Sequence, residues 1–461
     1  MLPCSVRSWA EPPKKHEKLE TVADKLQTLV FSLIFLPLTA SYSSGKVIEE
    51  KSISREADPV IVTGDRLRKF LGKQKEMLGL YAQKESFIPV PYQIDELTPE
   101  GEYAFTSGEE ALEDADKGLI DGNDELVFMV RDTGDRISEG SWPPENLGGI
   151  EIEVVDPLDG KKGWVYLLEF PKPPERSKVD YISMDLSGGI YRIQARNYYL
   201  DNAEYPPNAF RPTVTSITPT AGGDNTDIYD SPKQRATLSL FFFTAHKNET
   251  DIKTKIVAFI DGPIRIINKN EIRLRLFWKL WLPTPESVTK LYYGHYDLPT
   301  NLYLPVGLDQ EAPSRLRVSW DLADSAIGYK FYNSHNPNPV VIDGEMSPGE
   351  KALDRSYPDW NLVTGTHGTQ INRFTYPPRL RGKDHRLYYQ DDSRLPDPPE
   401  MVPGQIGHTG FEVDLTGAKA GIYSLIYYVY YPEDFKIGNE ARYINILDHP
   451  LTVVVKEVKG R

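Results

Sequence analysis

The sequence has almost no cysteine. Of 461 residues only Cys4 is one, so a disulfide framework, a cysteine zinc site and covalent c-type haem are all excluded. Histidine offers no substitute for metal binding, because His246, His295, His335 and His449 have no partner at zinc-ligand spacing. There is no Gly-x-Ser-x-Gly elbow, no P-loop and no dinucleotide glycine fingerprint. Basic charge is also short. Against 67 acidic residues stand 53 lysines and arginines, a net charge of -14, so the basic face that nucleic acid requires is missing. Long apolar runs are absent too. The best, Leu29–Leu38, is ten residues, where a membrane-spanning helix needs about 20.

That short run has another use. Lys14, Lys15, Lys18 and Lys25 precede it and Thr39-Ala40-Ser41 follow, which is the layout of a secretory signal cleaved after Ala40. We therefore expect residues 1–45 to be a signal region, cleaved or kept as an N-terminal anchor. The rest is expected in the periplasm, at the outer cell surface or outside the cell. Cys4 lies upstream of the apolar run and is not placed for lipoprotein acylation. The exported chain would carry no cysteine and would be held by apolar packing alone, as suits a bacterial envelope protein.

What the sequence does have is tyrosine and strand pattern. Aromatics reach 11%, with 27 Tyr, a composition that suits pleated, half-buried surfaces and equally suits stacking on sugars. Ile150-Glu151-Ile152-Glu153-Val154-Val155 alternates as a strand with one wet face should, and Gly163–Phe170 is its neighbour across the Asp156–Gly160 turn. The run Gly421–Tyr431 is strand-like, as is Thr237–Phe243, while Ile272–Trp278 alternates apolar with basic. Asp65–Lys75 is the best helical window, weakened by Gly64, Gly72 and Gly79. The expected fold is all-β, a multi-domain β-sandwich or supersandwich. The Pro171–Arg176 break suggests an N-terminal β-domain over 46–172, a large sandwich over 178–330, and a C-terminal sandwich over 331–461 that is continuous with it or separate.

Chemistry is concentrated in two places. The first is Asp114, Asp116, Asp121, Asn123, Asp124 and Glu125, within twelve positions and interleaved with Gly118 and Gly122. Hard cations such as calcium want several carboxylate and carbonyl oxygens. The alternative is a solvated turn bonding its own backbone. Asp95 and Glu96 end a strand that could approach this turn. The pairing of Pro89-Val90-Pro91-Tyr92-Gln93-Ile94-Asp95 with Asp121-Gly122-Asn123-Asp124-Glu125-Leu126-Val127-Phe128 resembles a module of unassigned function in exported bacterial proteins. That module accompanies glycan-degrading systems, and the resemblance implies export and a β-supersandwich but carries no catalytic residue.

The second place comprises Trp360, His367, Arg373, Tyr388, Asp391 and His408, with Arg386 nearby. Aromatic faces beside amides, carboxylates and imidazoles are what a sugar site needs. Asp391 and Asp392 are adjacent on a strand and so face opposite ways, which argues against a paired acid and base. The expectation is a protein that binds a glycan or envelope component. Two alternatives stand beside it: a polysaccharide lyase or glycoside hydrolase, and an assembly protein of the envelope that pairs through exposed strand edges.

Overall fold

The computed structural model describes residues 46–138, 142–143, 145–187, 191–201, 214–277, 279–400 and 403–458. Leu29–Leu38, the expected cleavage position and Cys4 lie outside the described residues. Strand makes up about 49% of the chain and helix about 10%, so the all-β expectation holds. Among the described residues no helix is long and apolar enough to cross a membrane.

The first part is two stacked sheets. One has five antiparallel strands in the order Thr452–Val458, Gly148–Val155, Lys162–Glu169, Leu78–Gln83 and Phe87–Pro89. The other has three, Pro59–Thr63, Glu125–Met129 and Tyr92–Asp95. Val60, Val62, Leu126 and Phe128 from the smaller sheet share a core with Leu80, Ile150, Ile152 and Val165 from the larger. The expected turn joins the central hairpin, with Gly160 at φ 71°, where a side chain would be strained. The polar face of Gly148–Val155 is not wet as expected. Glu151 and Glu153 are buried, roofed by Arg136 at 3.0 Å and Lys162 at 2.8 Å.

The second part is a larger sandwich. A sheet of eleven strands runs from Val340–Val341 through Lys330–Asn333, Asn361–Gly365, Gly368–Thr375, Gly421–Tyr430, His295–Leu304, Ser287–Tyr292, Arg265–Phe277 and Ile252–Asp261 to Ser107–Gly108, with Leu280–Pro283 also paired to Arg265–Phe277. Five strands face it in the order Phe243–Lys247, Tyr229–Leu240, Arg315–Leu322, Gln405–Asp414 and Arg386–Asp392. Period-two alternation explains the core between them. Tyr423, Leu425, Tyr427 and Val429 are buried along one face of their strand and meet Trp320, Phe411 and Val413. Each such side chain contributes about 1.5–3 kcal/mol of apolar burial. A separate four-stranded sheet covers Ile182–Asp185, Arg192–Ala195, Tyr198–Asp201 and Val214–Ile217.

Several ladders cross the block boundaries expected at 172 and 330. Thr452–Val458 pairs with Gly148–Val155, His295–Leu304 with Gly421–Tyr430, and Arg315–Leu322 with Gln405–Asp414. The described strands from Tyr229 to Tyr430 thus weave one sandwich across the boundary expected at 330, while the 452–458 strand completes the first. The Asp65–Lys75 window is not a helix. It holds short 3-10 turns, Gly64–Arg66 and Arg68–Phe70, because its glycines and the docking of Leu67 and Phe70 into the first core break a regular 3.6 repeat. The sequence reading missed two α-helices, the single turn Pro348–Lys351 and the longer Ala441–Asp448. Tyr443, Ile444 and Ile446 seat the longer one on the large sheet beside Tyr332, Leu362 and Ile371. The Thr237–Phe243 run is not one strand either. It breaks at Phe241 and Phe242, which form a hairpin tip, and Phe241, Phe242 and Phe243 are 84%, 91% and 63% exposed.

Candidate functional site

The two motifs behind the resemblance meet at a joint. Arg265 is completely buried. Its Nε donates to Asp95 Oδ2 at 2.9 Å, and its Nη2 donates to Glu125. Gln93 Oε1 accepts from the backbone N–H groups of Ile264 and Arg265 at 3.0 and 2.9 Å. A Cβ on Gly262 would collide with the Gln93 amide. The Gln-Ile-Asp strand and the Glu-Leu-Val-Phe strand therefore clasp the Asp261–Arg265 turn of the large sheet. A buried cation flanked by two carboxylates is strongly held, since losing one partner strands a charge. Burial works against ionisation of Glu125, but Arg265 holds its carboxyl below the usual range.

The acidic turn divides in two. One oxygen each of Asp114, Asp116 and Asp121 lie within 4.8 Å of one another. The other candidates serve the backbone or the joint. Asp124 is fully buried and accepts from the N–H groups of Asp121 and Leu97 at 3.0 and 3.2 Å, while burial pushes its carboxyl up to about 7. Asn123 donates to the Thr98 carbonyl at 2.7 Å. Glu125 belongs to Arg265, with Tyr103 donating to it at 2.9 Å. Asp95 is likewise held at the joint, and Glu96 accepts from the Gly118 N–H and pairs with Lys75 at 3.1 Å. Neither joins the cluster. Within it, the Asp114 carboxyl and then desolvation push Asp116 up to about 6.

The sugar-site candidates scatter into three locations. Tyr388 and His408 meet edge to face at 4.8 Å, with Arg317 over the tyrosine ring at 4.1 Å. His408 Nε2 lies 2.7 Å from Ser319 Oγ, and its Nδ1 lies 3.0 Å from Gln405 Oε1 and 3.7 Å from Asp321. The set has the outline of a serine–histidine–aspartate relay, but Ser319, His408 and Asp321 are all fully buried. Lys233, also fully buried, donates to the carbonyls of Asp397 and Pro399 at 3.0 Å each, pinning that loop to the same face. Desolvation drives His408 well below its ordinary pKa and pushes Asp321 up to about 8. The residues are packed in the sheet interior, and neither the neutral imidazole nor the raised Asp321 carboxyl is set up as a charged relay. Asp391 is a turn organiser, accepting from the N–H groups of Asp343, Gly344 and Gly407 at 2.9, 3.0 and 2.9 Å. Asp392 faces away and binds Arg394 at 3.2 Å. His367 sits on a hairpin turn, 2.9 Å from the Asp224 carboxylate. Arg386 pairs with Asp384.

Trp360 and Arg373 lead elsewhere. Trp360 stands edge-on to Tyr332 at 5.8 Å, in the cluster under the Ala441–Asp448 helix, and Arg373 reaches Asp448 at 2.7 Å. Beside that helix, four regions of the chain converge on a pocket enclosing about 550 Å³, part of it open to solvent. Arg55, Glu56 and Asp58 come from the first part and Asn197 from the four-stranded sheet. Tyr293, His295, Tyr430 and Tyr431 come from the large sheet, followed by Glu433 and then by Arg442 of the helix. His295 is stacked between Tyr292 at 4.6 Å and Tyr430 at 5.4 Å. Desolvation lowers its pKa to about 3, so the ring is neutral.

Glu433 is fixed by Arg131 at 3.0 and 3.2 Å and by Arg196 at 3.1 Å. Burial opposes its charge, but the Arg131 pair outweighs it and keeps the carboxylate ionised. Arg131 also lies over the Tyr293 ring at 5.1 Å. Two lining groups are left open: the Tyr430 hydroxyl and the Asn197 carbonyl oxygen are buried and have no hydrogen-bond partner. Among the described residues Arg442 has no ion pair. The sequence signal was present in Tyr292-Tyr293-Gly294-His295 and Tyr430-Tyr431-Pro432-Glu433-Asp434, runs that put aromatics and acids together at strand ends.

A second cavity, enclosing about 1110 Å³ and partly open to solvent, lies between the two large sheets and is walled by Leu238, Ile252, Leu274, Leu302, Val318 and Tyr427. Its wall is mostly apolar, with Lys233, Lys247 and Ser319 among the polar groups that line it.

No protein family matches the sequence, and no curated protein matches it. Among solved structures, the chain is similar to an alpha-mannosidase from Enterococcus faecalis V583, with TM-score 0.40, 9% identity, and 91% of this chain and 46% of that chain covered. It is also similar to a protein in the glycosyl hydrolase family 38 from Enterococcus faecalis, with TM-score 0.43, 10% identity, and coverages of 90% and 46%. A third is HI1317, with TM-score 0.27, 9% identity, and coverages of 54% and 99%. The chain thus spans about half the length of the two Enterococcus proteins.

Proposed function

We propose that the protein acts by binding, that its ligand is a sugar residue of a glycan, and that the junction pocket receives it. The observation that supports this is the unspent hydrogen-bonding capacity on a tyrosine-walled pocket: the buried Tyr430 hydroxyl and Asn197 carbonyl oxygen, with the solvent-exposed Arg442 guanidinium at the rim. Buried polar groups without partners are costly, and a hydroxylated ligand would satisfy them. An exported protein at the cell envelope would meet such ligands.

Catalysis is the weaker reading. A lyase needs a base whose pKa lies near the working pH. Here desolvation carries His295 down to about 3 and raises the Tyr430 hydroxyl well above its ordinary value. Both candidate bases are shifted away from the useful range. The test is titration of the full chain with neutral and uronate oligosaccharides, alongside Tyr430→Phe and Arg442→Ala. We expect saturable binding weakened at least about tenfold in each variant, the scale of one lost hydrogen bond to a charged or buried group. Absence of binding across the panel would reject the reading. Release of unsaturated product or reducing ends would move it to the enzyme alternative, and a fixed protein partner without glycan affinity would move it to the assembly alternative.

A further inference from the structure

We propose that Asp114, Asp116 and Asp121 hold a calcium ion. Calcium takes oxygen ligands at about 2.3–2.6 Å. Three carboxylate oxygens within 4.8 Å of one another share a central point no more than about 2.8 Å from each, so a small closing of the side chains brings all three to calcium distance. The cluster alone would be unremarkable on an acidic protein. What distinguishes it is Asp114. This residue is only 7% exposed; its Oδ1 accepts from the Ala115 N–H at 2.8 Å, and its Oδ2 is buried with no hydrogen-bond partner. A buried carboxylate oxygen without a donor, on a side chain set beside two more carboxylates, is an expensive arrangement unless a cation sits there.

The protein supplies no such cation among the described residues. None of the three carboxylates takes part in an ion pair, and the nearby lysines are engaged: Lys117 by Glu113 and Lys75 by Glu96. Asp121 is already oriented. Its Oδ1 accepts from the N–H groups of Asn123 and Asp124 at 3.0 and 3.3 Å, so its second oxygen is the one available. The donor set is all oxygen, which suits calcium and not a thiolate- or imidazole-seeking metal. The position gives the ion a role. The turn leads directly into Glu125–Met129, whose first residue meets Arg265, so a bound ion would brace the joint between the two parts of the molecule.

The test is calorimetric titration of calcium chloride into the chelator-treated full chain, with thermal unfolding measured in parallel. We expect one ion per chain and a rise in Tm on adding calcium. Asp116→Asn should weaken binding at least tenfold and remove most of the Tm rise. Asp116 is only half-buried, and the amide oxygen of asparagine can still accept from the backbone, so this variant should fold. Asp114→Asn is the second variant, expected to bind as weakly. Asp159→Asn, an acid paired with Lys161 on another turn, should bind as the unaltered chain does. The proposal is overturned if no binding is seen up to about 1 mM calcium, the weak end for extracellular modules. It is equally overturned if both Asp114→Asn and Asp116→Asn bind calcium unimpaired.

Discussion

His295 should make the molecule acid-labile in a way that one substitution removes. Its ring is buried between Tyr292 and Tyr430, and its pKa falls from 6.5 to about 3 on folding. Between those values the unfolded chain binds a proton that the folded chain refuses. Stability from this group is therefore present above pH 6.5 and is lost as pH falls towards 3. Each pH unit in that window costs about 1.4 kcal/mol. At pH 4.5, two units below the unfolded value, the loss is about 2.7 kcal/mol, against about 0.2 at pH 7.

His295→Phe keeps a flat ring in the stack and deletes the proton site. Urea unfolding at pH 7 and pH 4.5, followed by far-ultraviolet circular dichroism, gives both stabilities. The unaltered chain should lose about 2.5 kcal/mol more than the variant across this interval. All other titrating groups are common to both proteins and cancel in the difference. Equal losses, within about 0.5 kcal/mol, would refute the reasoning. They would mean that the folded pocket accepts a charged imidazole and is wetter or more acidic than its geometry indicates.

Two further outcomes are expected. Arg265→Met should destabilise the protein by about 3–5 kcal/mol in urea unfolding, because Asp95 is left buried without its counter-ion; a loss below about 1 kcal/mol would show that the joint contributes little. Replacing Phe241 and Phe242 by serine should change stability by less than about 0.5 kcal/mol, since both rings stand in solvent. The same change should markedly reduce retention on a hydrophobic resin, and a large drop in stability would show that the rings are covered.

The strands were legible because alternation is a local property. Gly421–Tyr430 buries Tyr423, Leu425, Tyr427 and Val429 in the period the sequence displays. The Asp156–Gly160 turn was legible for the same reason. Pairing was not legible, because nothing local says that His295–Leu304 lies beside Gly421–Tyr430. The roof over Glu151 was hidden too, since Arg136 arrives from another segment, whereas Lys162 over Glu153 belongs to the same hairpin. The acidic turn was half legible: three aspartates of one short stretch do converge, while Asp124 and Glu125 were claimed by Leu97 and Arg265. The junction pocket could not be read at all. Arg55, Asn197, His295 and Arg442 come from four distant regions, and His295 looked isolated because its ring neighbour Tyr430 is brought in by pairing with a remote strand.

The Thr452–Val458 strand has a consequence for the timing of folding. Val155, its partner, is 297 positions earlier. Closing so long a loop adds little thermodynamic penalty, because the entropy cost grows only logarithmically with length. It does delay completion. During synthesis the Gly148–Val155 edge emerges early and stays unsatisfied, open to stray pairing, until the strand that seals it has been made. A chain cut ahead of Thr452 would carry its defect some 300 residues upstream of the cut, in a sheet whose other strands are all present.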